Sequence, residues 1–247
     1  MRLMVSNDDG LWSLGLAALV RVCRKLGHDV VICAPDSQRS AAGHSMTLNR
    51  PLRVRESLLE GYPAYAISGT PADCVKLGMH CFCPDCDAVI SGVNHGYNMG
   101  IDVNYSGTVA AAMEGAILGK PGIAISLAYS REDTYELAAE MGMSLLPELL
   151  RHPLAPRCIL NVNYPACDRA LGLVAAPLRP TEYLEDYIEE DMDGEARIFR
   201  LEGELDESGA AGDDDYSWLM RGYATVTALQ ADMTDYKGTE LFRKILG

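Results

Sequence analysis

Short apolar runs alternating with stretches of helical periodicity constrain this chain more than any other feature. Leu3-Met4-Val5 reads as a buried strand. Leu16, Leu19, Val20 and Cys23 then recur at helical spacing, with Gly27 as the stop. Further strands are expected at 30–34, 65–68, 88–91, 122–126 and 158–162. Between them, Thr70-Pro71-Ala72-Asp73 opens a helix, with Thr as cap, Pro at the first helical position and an acid three residues after the cap. Gly107 to Leu118 is Ala-rich and helical, and Tyr135 to Leu150 continues as a helix that Pro147 kinks or restarts. Strands separated by helices predict an α/β fold: a doubly wound, mainly parallel sheet with helices on both faces.

Residues 180 to 217 break this pattern. From Glu182 to Asp215 there are 15 acidic and 2 basic residues, so this stretch carries nearly all of the chain's formal net charge of −14. With Gly194, Gly203, Gly209 and Gly212, and a strand-like Ile198-Phe199-Arg200-Leu201, it reads as a projecting hairpin or arm; the plainer alternative is a solvated acidic loop. The expected organisation is a metal- and phosphate-binding core over 1–179, an oligomerisation arm over 180–217, and a closing strand and helix over 218–247. No basic stripe exists, which argues against nucleic-acid polymers as partners. No apolar run is long enough for a membrane span or secretory signal, so the expected location is the cytoplasm.

Three polar clusters follow three of the expected parallel strands: Asn7-Asp8-Asp9-Gly10, Pro35-Asp36-Ser37-Gln38-Arg39-Ser40 and Gly92-Val93-Asn94-His95-Gly96. Ligands of open α/β sheets bind beyond the carboxyl ends of the strands, where the winding reverses, so these clusters can converge. Two carboxylates, a hydroxyl and an amide are hard oxygen donors, suited to Mg²⁺, Mn²⁺ or Ca²⁺ rather than zinc. Asp8-Asp9-Gly10 alone could equally be a turn with an N-cap. Ser106-Gly107-Thr108 precedes the Ala-rich helix, where free N–H groups and the helix dipole make an anion site; an ordinary capped helix is the alternative. Ala42-Gly43-His44-Ser45 adds a turn with a titratable imidazole, and Arg39 could pair a phosphate bidentately or simply a surface carboxylate.

Other motifs fail. There is no G-x-G-x-x-G, and the P-loop spacing from Gly10 to Gly15 is followed by Leu16-Ala17 instead of Lys-[Ser/Thr]. Asp191-Met192-Asp193-Gly194 lacks the downstream ligands of a calcium loop. Cys23, Cys33 and Cys74 read as core residues, whereas Cys81, Cys83 and Cys86 form a C-x-C-x-x-C cluster read as reduced loop thiols.

Taken together, Val5 to Gly10, Ala34-Pro35-Asp36 with Arg39-Ser40-Ala41, Gly43-His44-Ser45, Gly69 to Val75, Ser91 to Gly96, Tyr105 to Ala112, Leu160 to Pro165 and Gln230 to Thr234 resemble the SurE family of stationary-phase survival proteins. The resemblance implies one divalent metal held by Asp8, Asp9, Ser40 and Asn94, with Asp8 and Asp9 as the catalytic carboxylates. It implies phosphate contacts around Ser106, Gly107 and Thr108; Asn7, Arg39, Gly43, His44 and Ser45 complete the candidate substrate-binding set. It implies hydrolysis of nucleoside 5′-monophosphates, with 3′-nucleotides and short polyphosphate as further substrates, by a homodimer or homotetramer. The competing readings are a non-catalytic nucleotide- or anion-binding module and a metal hydrolase of another class, such as a deacylase.

Overall fold

The computed structural model describes residues 1–129, 131–180, 183–193, 196–205 and 212–247. The first strand, β1 (Arg2–Ser6), leads through the Asn7 loop into α1 (Leu14–Lys25), whose N-cap Ser13 accepts from the Leu16 amide. Next come β2 (Asp29–Pro35), β3 (Val54–Leu59) and β4 (Tyr62–Ile67). The Thr70 signal is realised in full: Thr70 and Asp73 form a reciprocal capping box at the start of α2 (Pro71–Cys81). Then follow β5 (Ala88–His95), a 3-10 turn at Gly100–Asn104, α3 (Gly107–Ile117) and β6 (Gly122–Leu127). Pro147 divides the long helical run, with α4 (Tyr135–Ser144) ending before it and α5 (Leu146–Arg151) carrying it in its first turn. The chain continues through β7 (Cys158–Tyr164), β8 (Leu173–Ala175), β9 (Tyr183–Asp193), β10 (Ala196–Leu205), α6 (Asp215–Met220), β11 (Ala224–Gln230) and α7 (Tyr236–Leu246).

Nine strands form one sheet in the order β3-β4-β2-β1-β5-β6-β7-β11-β8. The neighbours from β4 to β7 all pair in parallel, while β3 on β4 and β11 on β7 are antiparallel. Winding runs one way from β1 through β2 and the other way through β5 and β6, so the reversal lies between β1 and β5. Leu3, Val5, Ile32, Ile90 and Ile125 pack with Leu16, Leu19 and Ala138 on the face covered by α1 and α4. Met4, Val31 and Val89 face α2, and Ala124 and Ile159 face α3. Alternate residues of each strand thus enter opposite cores, as the pleat requires.

Three elements went unforeseen. β3 is a mostly exposed edge strand, and its Arg55 and Glu56 hide the apolar alternation. β8 has three residues, too few for a periodicity. α6 straddles the expected end of the arm at 217, and Asp214 caps it through the Ser217 amide. The arm itself is a hairpin: among the described residues β9 and β10 pair only with each other, antiparallel, and most of their described side chains are exposed. Residues 181–182, 194–195 and 206–211 of that stretch, Gly194 and Gly209 among them, lie outside the described residues. The thiols divide differently from expectation: Cys83 and Cys86 are buried with Cys33 and Cys74 under α2, and Cys81 is exposed. Among the described residues no three His, Cys, Asp or Glu side chains group as a metal site.

Candidate active site

Asp8, Asp9, Ser40, Asn94 and Ser106 border one pocket of about 250 Å³ at the β1/β5 reversal. The loops that bring them there are stitched together by backbone hydrogen bonds. The Leu11 amide donates to the Pro35 carbonyl at 2.9 Å, and the Arg39 amide donates to the Asp8 carbonyl at 2.7 Å. On β5, register against β6 shifts between Ser91 and Asn94, where one extra residue enters the ladder. Such a bulge re-aims the side chain that follows it, here Asn94.

Asp8 is 6% exposed and sits at the N-terminus of α3. Both the hydroxyl and the amide of Thr108 donate to its carboxylate, so this side chain is the anion that the helix start receives. Burial nevertheless pushes the Asp8 carboxyl up to about 6, against the pull of Thr108. Asp9, half-buried, is also raised by burial, and the His95 amide donating to its Oδ2 at 3.3 Å opposes the shift. No Lys or Arg among the described residues pairs with either aspartate. Asn94 donates its Nδ2 to the Gly96 carbonyl at 2.9 Å, which leaves its Oδ1 as an acceptor. Ser40 Oγ accepts from Gln38 Nε2 at 2.9 Å.

Two adjacent carboxylates with no Lys or Arg partner among the described residues, beside one amide and one hydroxyl oxygen, fit a hard divalent cation: His95 is the one cationic group among those residues acting on Asp9, and the donors have the right chemistry.

The remaining candidate residues have other partners. Thr108 and Gly107, expected against phosphate, instead support Asp8: a Cβ on Gly107 would lie 2.7 Å from Asp8 Cβ. Asn7 is fully buried and braces its own loop, donating to the Gly10 carbonyl and Ser13 Oγ. Arg39 pairs with Asp36 at 3.1 Å, the surface-carboxylate alternative. The Gly43 amide donates to the Tyr105 carbonyl, and the Ser45 hydroxyl to the Ala42 carbonyl. His44 bonds Glu114 through Nε2 at 2.9 Å, and Lys76 meets the other Glu114 oxygen at 2.8 Å. Arg39, Gly43, His44 and Ser45 thus hold the Ser40 loop in place, and none of these seven residues borders the pocket.

A profile of the family described as "Survival protein SurE" matches residues 3–182. This chain belongs to the SurE family. It is 42% identical to the 5′-nucleotidase SurE of Synechococcus elongatus, with 96% of each chain covered. With 5′-nucleotidase SurE 1 of Thermus thermophilus it shares 41%, over 100% of this chain and 98% of that one. The crystal structure of the SurE protein from Aquifex aeolicus superposes with a TM-score of 0.85 at 33% identity, covering both chains fully.

Beyond the SurE motifs, the pocket of this chain has walls that sequence reasoning missed. Gln38, Tyr97, Asn98, Asp102 and Tyr129 line it too, as do His95 and Tyr105, which lie within the motifs but received no role there. Asn98 is buried in an amide network: its amide N–H donates to Asn163 Oδ1, its Nδ2 to Ser126 Oγ, and its carbonyl accepts from Asn161 and Asn163. The signal was present, since Asn161 and Asn163 interrupt an apolar strand, and buried amides require partners. Asp102 accepts from the Tyr183 hydroxyl at 2.6 Å, tying the root of the hairpin to the pocket wall.

Proposed function

We propose that this chain is a metal-dependent phosphomonoesterase that hydrolyses nucleoside 5′-monophosphates to nucleoside and phosphate. The observation carrying the proposal is the meeting of Asp8, Asp9, Ser40 and Asn94 on one pocket, with no Lys or Arg among the described residues pairing the two carboxylates. Full-length relatives named 5′-nucleotidase support the same activity.

In this reading the four oxygen donors hold one divalent cation, Mg²⁺ or Mn²⁺ with Ca²⁺ as a further candidate. Such a cation would supply Lewis-acid stabilisation of the phosphoryl oxygens and of a bound water. Thr108 holds the Asp8 carboxylate against the helix start, and Asp8 borders the pocket there. Asp9 keeps one oxygen on the His95 amide and has a second available to orient water or accept its proton. Ser106 borders the pocket on the phosphate side, with its hydroxyl capping α3 through the Val109 amide.

The same reading makes the protein a cytoplasmic homo-oligomer, dimer or tetramer. The eight unpaired cysteines suit a reducing compartment. No described helix is long and apolar enough to cross a membrane. α7 has no buried residue, and Leu241, Phe242 and Ile245 form an apolar stripe that its own subunit leaves bare. A second copy would cover that stripe.

Phosphate release from AMP, measured with Mn²⁺ and with excess EDTA, tests the activity. Turnover that stops on chelation and in Asp9→Asn is the expected result. AMP binding without phosphate release would instead favour the binding module.

A further inference from the structure

The pocket carries polar groups for a phosphate and a cation on one side, but its rim is aromatic. Tyr129 and Tyr105 come from different loops, border the same pocket, and are 74% and 61% exposed. Two large rings left in water beside a buried acidic centre need a reason, since burying either ring elsewhere would be favourable. Tyr129 is also held in place. The His95 ring lies parallel to it, with centroids 4.4 Å apart and planes 17° apart, and His95 Nε2 bonds the Tyr129 carbonyl. Tyr135 meets the His95 ring edge-on at 6.2 Å, backing the stack from the core side. Gly96 completes the seat: a Cβ there would come within 3.2 Å of the Tyr129 ring, so glycine lets the ring lie close to the backbone. The stack starts one residue from the chemistry, because the His95 amide is the donor to Asp9.

We propose that the exposed face of Tyr129, backed by His95 and flanked by Tyr105, is the stacking platform for the nucleobase, and so the element that selects nucleotides over other phosphate monoesters. This rests on the phosphomonoesterase reading of the same pocket. A π-face takes every base, so the platform confers preference for a nucleoside without choosing strongly among bases, and purines gain more than pyrimidines through their larger area. The ring is oriented before substrate arrives, so little side-chain freedom is lost on binding.

The test compares AMP with ribose 5-phosphate, which presents the same phosphate and sugar without a base, in steady-state phosphate release with Mn²⁺. Tyr129→Ala is expected to raise KM for AMP about tenfold while leaving KM for ribose 5-phosphate and kcat for both within about twofold. Tyr129→Phe, which keeps the ring, should restore the wild-type KM, and Tyr129→Leu should not. Equal losses on both substrates, or unchanged KM for AMP, would overturn the platform, as would a changed oligomeric state with no change in KM. Calorimetric binding of AMP and ribose 5-phosphate in the presence of Mn²⁺ reads the platform without turnover. A chain that bound AMP through Tyr129 but released no phosphate would remove the phosphatase reading and leave the platform standing.

Discussion

Gly107 packs directly against the side chain of Asp8. A Cβ built on Gly107 would lie 2.7 Å from Asp8 Cβ and 3.0 Å from its Oδ2. The helix start can reach the carboxylate only because that position is empty. Gly107→Ala should therefore push Asp8 or the first turn of α3 aside. Since a misplaced catalytic group costs on the order of 100-fold, turnover is expected to fall by about that factor. Overpacking of this kind destabilises by about 1–3 kcal/mol, so the variant should still fold. Phosphate-release kinetics beside circular dichroism melts would check both statements. A variant with normal turnover would show that the contact relaxes without consequence.

Asp8 itself should trade stability for function. Its folded-state value of about 6 stands above the ordinary 3.8 because burial favours the protonated form. The folded state therefore holds this proton more tightly than the unfolded chain, and stability from this group declines as pH rises from about 4 to about 6. At pH 7 without metal, the charged carboxylate costs up to about 3 kcal/mol. Asp8→Asn removes that charge and retains an oxygen for Thr108 to donate to. In EDTA at pH 7 the variant should melt several degrees above wild type. Wild type should gain stability when Mn²⁺ is added, by about 2.7 kcal/mol at a hundredfold excess over Kd, and the variant should not. Scanning calorimetry with and without Mn²⁺ distinguishes these outcomes; a variant that melts below wild type in EDTA would contradict the burial argument.

Glu114 stands in an Ala-rich helix with its side chain 3% exposed, joined to His44 and Lys76. The His44 hydrogen bond and then Lys76 hold its carboxyl below the usual range despite burial. Its stabilising effect is present above the ordinary carboxylate range and fades as pH falls through the lowered value. Glu114→Gln should cost on the order of 1 kcal/mol at pH 7, because Lys76 and His44 remain partly in water, and should flatten the acid limb of the stability curve. Because His44 belongs to the loop that presents Ser40, the variant should also need more Mn²⁺ for half-maximal turnover. Melts from pH 3 to 7 and a metal titration of activity provide the readouts. An unchanged acid limb would remove Glu114 as the anchor.

The bare stripe of α7 gives a prediction about assembly. Phe242→Glu places a charge where Leu241, Phe242 and Ile245 are 56%, 61% and 64% exposed in the single subunit. If a second copy covers this face, the variant should move to a smaller species in light scattering while keeping its far-ultraviolet spectrum. Wild type running as a monomer at micromolar concentration would count against any such partner.

Much of this architecture was written locally. Strand 30–34, the Thr70-Pro71-Ala72-Asp73 helix start and the break at Pro147 are signalled by residues within one or two turns of each other, so periodicity and capping chemistry reveal them. The convergence of Asp8, Asp9, Ser40 and Asn94 was legible because each follows a strand of a sheet whose winding could be inferred, and the reversal between β1 and β5 brings them to one pocket. β3 escaped because an exposed edge strand needs no apolar alternation.

What only the tertiary structure decided is which partner each polar group receives. Ser106-Gly107-Thr108 does prepare a helix start for an anion, but the nearest anion proved to be the chain's own Asp8. His44 could have faced a substrate, yet a carboxylate 70 residues away holds it. The stacked rings of His95 and Tyr129 meet across a loop whose path no local pattern describes. Sequence determines the kinds of groups available and the elements that carry them, because those depend on neighbours along the chain. Pairing depends on distances between elements, and these are fixed only when the sheet has closed its order and the loops have packed above it.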